Sequence, residues 1–165
     1  MNWLVGPTML LACIMVDAKI SSNEIAPQQM FAGHSQGSGT LTYLFGKPRP
    51  FHVESHGQMQ PDGKFRLDQN IVFEGDAPNK RHWIIETVSP GVYSGTLSDA
   101  AGEVSGRIEG NRLILRYRAK GWFVMHQTLE VIDNGRAIDN KGRITLLGIP
   151  VGQLHETIVR IDEKN

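Results

Sequence analysis

Residues 64–74, KFRLDQNIVFE, show the clearest strand pattern in the chain. The large apolar side chains Phe65, Leu67, Ile71 and Phe73 are spaced by even numbers of residues, and the residues between them are mostly charged or polar. In a β-strand, residues two apart point to the same face of the sheet. The stretch therefore predicts a strand with one buried face and one wet face, as in an antiparallel sheet.

Short turn signals rich in Gly, Pro, Asn and Asp recur along the rest of the chain, and most stretches between them alternate in the same way. The signals are at residues 61–63, 78–80, 89–91, 109–111, 119–121, 133–135 and 140–142. Strands separated by such turns are typical of an antiparallel meander. We therefore predict an all-β fold of about ten strands, running from residue 40 to 161 and closing into an up-and-down barrel.

The chain of 165 residues is predicted to divide into three parts. Residues 1–18 are assigned to a signal segment, residues 19–38 to a linker and barrel-closing segment, and residues 39–165 to the β-barrel domain. A barrel of about eight to ten strands has room for its side chains and one small ligand. The predicted fold therefore indicates the barrel interior as the candidate ligand-binding site.

Composition excludes several classes of function. Apolar residues make up 40% of the chain, charged residues 21%, and the formal net charge is zero, so no basic excess indicates a nucleic-acid partner. The single cysteine, Cys13, cannot form a disulfide within the chain, and the six histidines show no zinc-binding spacing. No nucleophile elbow or phosphate loop is present. We therefore predict no metal, no cofactor and no catalytic residue.

The N-terminus carries the longest apolar run, LVGPTMLLACIMV at residues 4–16. The run is shorter than the roughly 20 residues of a spanning helix and fits the apolar region of a secretory signal. Cleavage after Ala18 and lipidation of Cys13 are both compatible with it. Export to the periplasm or envelope, with membrane association through the N-terminus, is the prediction. Translation from Met15 or Met30 would instead leave the protein in the cytoplasm.

Residues 31–160 resemble bacterial lipocalin-like proteins classed as a domain of unknown function, many of them predicted envelope lipoproteins. The resemblance is carried by Phe31-Ala32-Gly33, Asp62-Gly63, Leu67-Asp68, Arg81-His82-Trp83, Tyr93-Ser94-Gly95-Thr96, Asp99-Ala100-Ala101-Gly102-Glu103, Gly110-Asn111 and Tyr117. It implies a lipocalin-like barrel in the cell envelope. It implies no enzymatic activity.

Several polar side chains share the phase of the buried apolar residues, so we predict that they point into the barrel. With Trp83 as a flat apolar wall, these candidate ligand-binding residues are Gln69, Arg81, Trp83, Tyr93, Tyr117 and Gln127. A buried polar group without a partner costs about 1–3 kcal/mol, so each requires a hydrogen bond from protein or ligand. An arginine with two tyrosines in an apolar cup could hold a carboxylate. Asp99 and Glu103 are interpreted as solvated turn residues.

Three functions remain open at this point. The first is binding of a small hydrophobic or amphiphilic molecule, such as a lipid or fatty acid, in the barrel. The second is an isomerase- or cyclase-type enzyme in which the pocket folds an apolar substrate and polar residues handle a proton. The third is a structural envelope protein whose core is filled and takes no ligand.

Overall fold

The computed structural model describes residues 26–161, which form one closed barrel of ten antiparallel strands. The elements are α1 (Pro27–Phe31), β1 (Gly33–Tyr43), β2 (Arg49–Met59), β3 (Phe65–Phe73), β4 (Asn79–Ser89), β5 (Val92–Leu97), β6 (Glu103–Glu109), β7 (Arg112–Arg118), β8 (Phe123–Ile132), a 3-10 turn (Asp133–Gly135), β9 (Ala137–Leu146) and β10 (Ile149–Ile161). The predicted all-β, up-and-down barrel is confirmed.

Each strand pairs with its neighbours in the chain, and β1 pairs with β10 to close the cylinder. Along this seam His34 lies opposite Ile161 and Tyr43 lies opposite Gly152. Closure leaves no row of unpaired backbone groups that another chain could extend. The short turns read from the sequence permit this arrangement because consecutive antiparallel strands need only a few residues between them.

The first strand begins at Gly33 rather than at residue 40, so it extends into the segment predicted as a linker. The sequence GHSQGSG resembles a loop, yet its glycines serve the barrel wall. A Cβ atom at Gly37 would overlap the carboxyl group of Glu156, and one at Gly39 would overlap the ring of Phe51. These glycines therefore make room for large side chains that reach inward from neighbouring strands.

Helix α1 closes one end of the barrel. Its residues Met30 and Phe31 are buried and pack against the core at that end. Gly57 on β2 allows the backbone carbonyl of Phe31 to approach closely, since any Cβ atom there would overlap it. Arg160 on β10 donates hydrogen bonds to the backbone carbonyls of Gln29 and Met30. The helix thus contacts β2 and β10, the two strands that flank β1.

The interior contains two apolar clusters. The larger, which includes the α1 residues and fills that half of the barrel, consists of Met30, Phe31, Phe65, Leu67, Trp83, Ile85, Tyr93, Leu97, Val104, Leu113, Leu115, Tyr117, Leu129, Ile138 and Ile158. The smaller consists of Leu41, Phe51, Val53, Ile71 and Ile144. This second set lies toward the other end of the barrel, where packing is incomplete and a cavity remains.

We predict that Gly57→Ala lowers the free energy of unfolding by about 1–3 kcal/mol, the usual cost of an atom forced into a packed site. The added methyl group would overlap the Phe31 carbonyl and the ring of Phe65. Urea denaturation followed by circular dichroism measures the change. The neighbouring exposed position supplies a control, Gln58→Ala, which should stay within about 0.5 kcal/mol of the parent. Equal stability of the two variants would contradict the close approach.

Candidate functional site

The half of the barrel away from α1 encloses a cavity of about 280 Å³. Its walls are mainly apolar, and they come from strands all around the barrel. The apolar lining consists of Leu41, Tyr43, Phe51, Val53, Ile71, Phe73, Tyr117, Ala119, Phe123, Met125, Ile144 and Leu154. Tyr43 and Phe123 are partly exposed to solvent, so the cavity opens at this end of the barrel.

One side of the cavity floor is a hydrogen-bonded group centred on Gln69. Its carbonyl oxygen Oε1 accepts from Arg81 Nε at 2.9 Å and from Trp83 Nε1 at 2.7 Å. Its amide nitrogen Nε2 donates to Ser55 Oγ at 3.2 Å. Sheet register explains the group, because Ser55, Gln69 and Arg81 lie directly opposite one another on β2, β3 and β4. Gln69 therefore fixes the orientation of Arg81.

The positive charge of Arg81 is already opposed within the protein. Its Nη1 atom lies 4.0 Å from Asp99 Oδ2, and its guanidinium group lies 5.4 Å from the ring centre of Trp83. Tyr117 packs edge-on against Trp83 with the ring centres 5.3 Å apart. Burial raises the pKa of the Tyr117 hydroxyl, while the charge of Arg81 and a hydrogen bond with it act in the opposite direction. Tyr117 thus stays neutral beside the arginine.

The other side of the floor is a chain of three buried side chains on β8, β9 and β10. Gln127 Nε2 donates to Asn140 Oδ1 at 3.2 Å, and Asn140 Nδ2 donates to Glu156 Oε2 at 2.8 Å. Gln127 is 5% exposed and Glu156 is 7% exposed. Both ends of this chain line the cavity, and Gln127 Oε1 and Glu156 Oε1 have no hydrogen-bond partner in the protein. Two residues that line the cavity therefore each carry one buried polar atom without a protein partner, and that of Glu156 lies against Gly37 on β1.

Burial raises the pKa of the Glu156 carboxyl, and the Asn140 hydrogen bond and the charge of Arg81 only partly counteract it. A neutral carboxyl group has one acceptor oxygen and one hydroxyl. Because Oε2 accepts from Asn140, the hydroxyl position is Oε1. In its neutral form Glu156 thus carries a hydrogen-bond donor without a protein partner, while Gln127 carries an acceptor without one.

The structure places the six predicted ligand-binding residues at different heights. The residues Arg81, Tyr117 and Gln127 line the cavity. Gln69 lies opposite Arg81 and accepts hydrogen bonds from Arg81 and Trp83, and Tyr93 lies in the filled core. Tyr93 is opposite Thr87, near the closed end of β4 and β5. The two-residue period assigns a side chain to a face of the sheet but does not give its height along the barrel axis.

Sequence reasoning missed Ser55, Asn140 and Glu156. Asp99, interpreted as a solvated turn residue, does lie in the turn between β5 and β6, and it also lines the cavity. The signal for Asn140 and Glu156 was present in the sequence. Asn140 is in phase with Ile138 and Ile144, and Glu156 is in phase with Leu154 and Ile158. A carboxyl or amide at an inward position of such a strand indicates a polar interior site.

Residues 26–161 also bear on metal binding and on membrane spanning. In that part of the chain, no group of three or more His, Cys, Asp or Glu side chains is arranged to hold a metal ion. Nor does any helix there have the length and apolar character needed to cross a bilayer. The signal segment at 1–18 and the lipidation predicted at Cys13 lie outside the described residues.

A closed ten-stranded antiparallel barrel with a ligand-sized cavity belongs to the lipocalin-like class of folds. The chain itself belongs to the family described as "Protein of unknown function (DUF3833)", whose model matches residues 8–160. A search of curated proteins gives no match. The family assignment thus agrees with the sequence-based resemblance to a domain of unknown function.

Two solved structures show the same fold. The S-type phycobiliprotein lyase CPES from Guillardia theta is similar with a TM-score of 0.66 and 8% sequence identity, over 82% of this chain and 91% of that one. A protein of unknown function from the DUF3598 family of Nostoc punctiforme is similar with a TM-score of 0.60 and 13% identity, over 84% of this chain and 50% of that one. At these identities the likeness concerns the fold alone.

We predict that Glu156 makes the stability of the protein fall as pH rises above about 4.5, which is the ordinary pKa of a glutamate carboxyl. The unfolded chain releases this proton first, whereas burial raises the pKa of Glu156 in the folded state and retains it, so the free energy of unfolding decreases. Glu156→Gln removes this dependence. Urea denaturation at several pH values between about 4 and 8 measures it.

The control for this prediction is Glu54→Gln, which alters an outward-facing, exposed carboxylate on β2. Its stability should follow the pH dependence of the parent protein. Parallel curves for the parent and Glu156→Gln would show that Glu156 ionises in the folded state as it does in water, contrary to the burial argument.

Proposed function

We propose that this protein binds one small hydrophobic or amphiphilic molecule, of the lipid or fatty-acid type, inside its barrel. The observation that carries the proposal is the apolar cavity of about 280 Å³ whose floor holds buried polar atoms without protein partners. Buried polar groups are nearly always paired, so a ligand is the natural partner. The similar barrel of a phycobiliprotein lyase is consistent with binding a small ligand.

The cavity volume limits the size of the ligand. It exceeds the roughly 150 Å³ of an engineered cavity that binds benzene and lies just below the roughly 300–1,000 Å³ of pockets for drug-sized molecules. At about 30 Å³ for each water-sized group, the cavity of 280 Å³ holds about nine such groups. A single medium-length alkyl chain or a two-ring system fits this space, and any excess extends through the open end.

The distribution of polar atoms sets the orientation of the ligand. Apolar walls such as Leu41, Phe51 and Ile144 surround its body, while Gln127 and Glu156 meet its polar end. Gln127 Oε1 requires a donor, and neutral Glu156 can itself donate. A hydroxyl group or an uncharged carboxylic acid satisfies both. An ionised carboxylate on Arg81, as the sequence suggested, would have to compete with Asp99 for the guanidinium charge.

We predict that 1-decanol binds more tightly than decanoate at pH 7, and that affinity rises about four-fold per methylene from hexanol to octanol. The second figure follows from the roughly 0.8 kcal/mol gained for each buried CH₂. Isothermal titration calorimetry measures both. Tighter binding of decanoate would assign the polar end to Arg81, while failure of the whole series to bind would overturn the proposed function.

A pair of tryptophan substitutions on β10 locates this binding in the cavity. Leu154→Trp directs a large ring into the cavity and should abolish decanol binding. Gln153→Trp, at the neighbouring exposed position, places the same ring outside and should leave the affinity unchanged. Equal affinities would place the alcohol elsewhere on the protein. Thermal denaturation of both variants verifies that each is folded.

Native mass spectrometry of protein purified from its own host separates ligand binding from a structural role. A stoichiometric apolar molecule that is released by solvent extraction supports the proposal. Protein that is free of ligand and binds none of the alcohols would favour the structural envelope protein instead.

The second candidate function, an isomerase- or cyclase-type enzyme, is favoured by one observation, the buried carboxyl group of Glu156 among the residues that line the cavity, whose pKa burial raises. A general acid must lie within hydrogen-bond reach of the substrate and have a suitable pKa. Incubation of the extracted ligand with protein in D₂O tests this. Deuterium incorporation or isomerisation with the parent, lost in Glu156→Gln, would identify an enzyme, and an unchanged ligand would support a binding protein.

We propose in addition that the protein is exported to the envelope, on the basis of the apolar run at residues 4–16. The intact mass of the protein from its host distinguishes the routes. Cleavage after Ala18 gives a chain beginning at Lys19, and lipidation gives a chain beginning at acylated Cys13. A chain that begins at Met1, Met15 or Met30 without modification would contradict export by either route.

A further inference from the structure

Five large apolar side chains stand exposed at the open end of the barrel, and we call them the apolar crown. Its members are Leu44 and Phe45 between β1 and β2, Trp122 before β8, Leu147 between β9 and β10, and Ile149 at the start of β10. Phe45 is 98% exposed, Leu147 75% and Trp122 69%, and these are the three most exposed large hydrophobic side chains of residues 26–161. Apolar groups concentrated in this way mark an interaction surface.

The crown forms one continuous arc. Around the barrel the strand order is β2, β1, β10, β9, β8 and β7, so the three connecting segments that carry the crown are neighbours. The backbone of Leu44 donates a hydrogen bond to Val151 at 2.9 Å, which joins the first two segments. Trp122 and Leu147 line the same surface depression, which joins the second and third. The arc borders the cavity mouth, where Tyr43 and Phe123 lie.

The charges in these segments are all positive. Residues 44–48, 119–122 and 147–149 contain Lys47 and Lys120 and no acidic residue. The acidic side chains of the opposite half of the rim are Glu74 and Asp76 between β3 and β4 and Asp99 between β5 and β6. Glu103 at the start of β6 lines the depression of Trp122 and Leu147, together with Arg116 and Arg118. A surface that combines exposed apolar side chains with lysines is complementary to a layer that is apolar inside and anionic outside.

We propose that the apolar crown docks onto the surface of an anionic lipid bilayer, with the cavity mouth facing the membrane. Tryptophan favours the boundary between acyl chains and headgroups, and lysine can bury its stem while its ammonium group reaches the phosphates. A second copy of the chain is a poorer occupant, because two facing crowns would bring Lys47 and Lys120 of both copies together. The docking itself does not depend on what the cavity binds.

Docking would also connect the cavity directly to the bilayer. A molecule that leaves the bilayer under the crown could enter the barrel past Tyr43 and Phe123 without crossing bulk water. This step rests on the proposed function, whereas attachment to the membrane does not. The two are therefore tested by different measurements.

Trp122 provides a local probe for docking in the full-length chain. In a Trp3→Phe background, emission comes from Trp122 and from Trp83, which is buried in the core. Vesicles containing phosphatidylglycerol should shift the emission to shorter wavelength, and lipids brominated in the acyl chain should quench it. The same experiment with Trp122→Phe removes the signal. Attachment through residues 4–16 alone would leave the emission of Trp122 unchanged.

Substitutions at the most exposed positions should weaken this signal without disturbing the fold. Phe45→Ser with Leu147→Ser should raise the lipid concentration needed for half-maximal shift roughly ten-fold or more, through loss of apolar burial. Lys47→Ala and Lys120→Ala should each raise it about five-fold on anionic vesicles, because each basic group contributes about that factor. The control Val88→Ser, at an exposed apolar position near the end of β4 on the α1 side of the barrel, should have no effect.

Three outcomes would overturn the proposal. One is an emission of Trp122 that does not respond to anionic vesicles. Another is equal binding by the parent and the Phe45→Ser, Leu147→Ser variant. The third is a dimer in analytical ultracentrifugation that this double variant abolishes, since the crown would then bind a second copy of the chain. A shift that requires anionic lipid and the crown residues supports docking, whatever the alcohol titrations show.

Discussion

Pairing of β1 with β10 is the interaction on which the rest of the structure depends. It converts a ten-stranded meander into a cylinder, and only a cylinder has an interior that ten strands share. The seam also carries the site, because Glu156 on β10 is accommodated by the absence of a side chain at Gly37 on β1. The same seam anchors α1 through Arg160, so the closed end and the polar floor are stabilised by one pair of strands.

A layer of buried polar side chains divides the interior into two halves with different properties. Below it, aromatic and aliphatic residues fill the barrel completely around Phe65 and Leu113. Above it, the apolar side chains are fewer, and the space that they do not fill is the cavity. Within the layer, Gln69 satisfies two donors at once, whereas Gln127 and Glu156 each keep one oxygen free. Satisfied polar groups fix a structure, and unsatisfied ones make it receptive to a partner.

The two ends of the barrel differ just as its two halves do. One end is closed by α1, whose backbone approaches β2 at Gly57, and the other is open and bordered by the apolar crown. The cavity and the crown therefore lie on the same side of the polar layer. This arrangement places the deepest polar atoms, the apolar walls and the exposed apolar surface in sequence along one axis. Such an order suits a molecule with a polar head that enters from an apolar phase.

The alternation of apolar and polar residues by itself determined the strands, their antiparallel order and the inward phase of Gln69, Arg81, Tyr117 and Gln127, because side-chain direction in a strand is a local property. Only the tertiary structure decided which inward residues share a height, since that depends on register across the sheet. Because of this register, Tyr93 lies outside the cavity and Glu156 lines it. The register also made the glycine-rich segment after residue 32 part of the barrel wall. The space left by the missing side chains of these glycines is filled by side chains from neighbouring strands, which the sequence does not show.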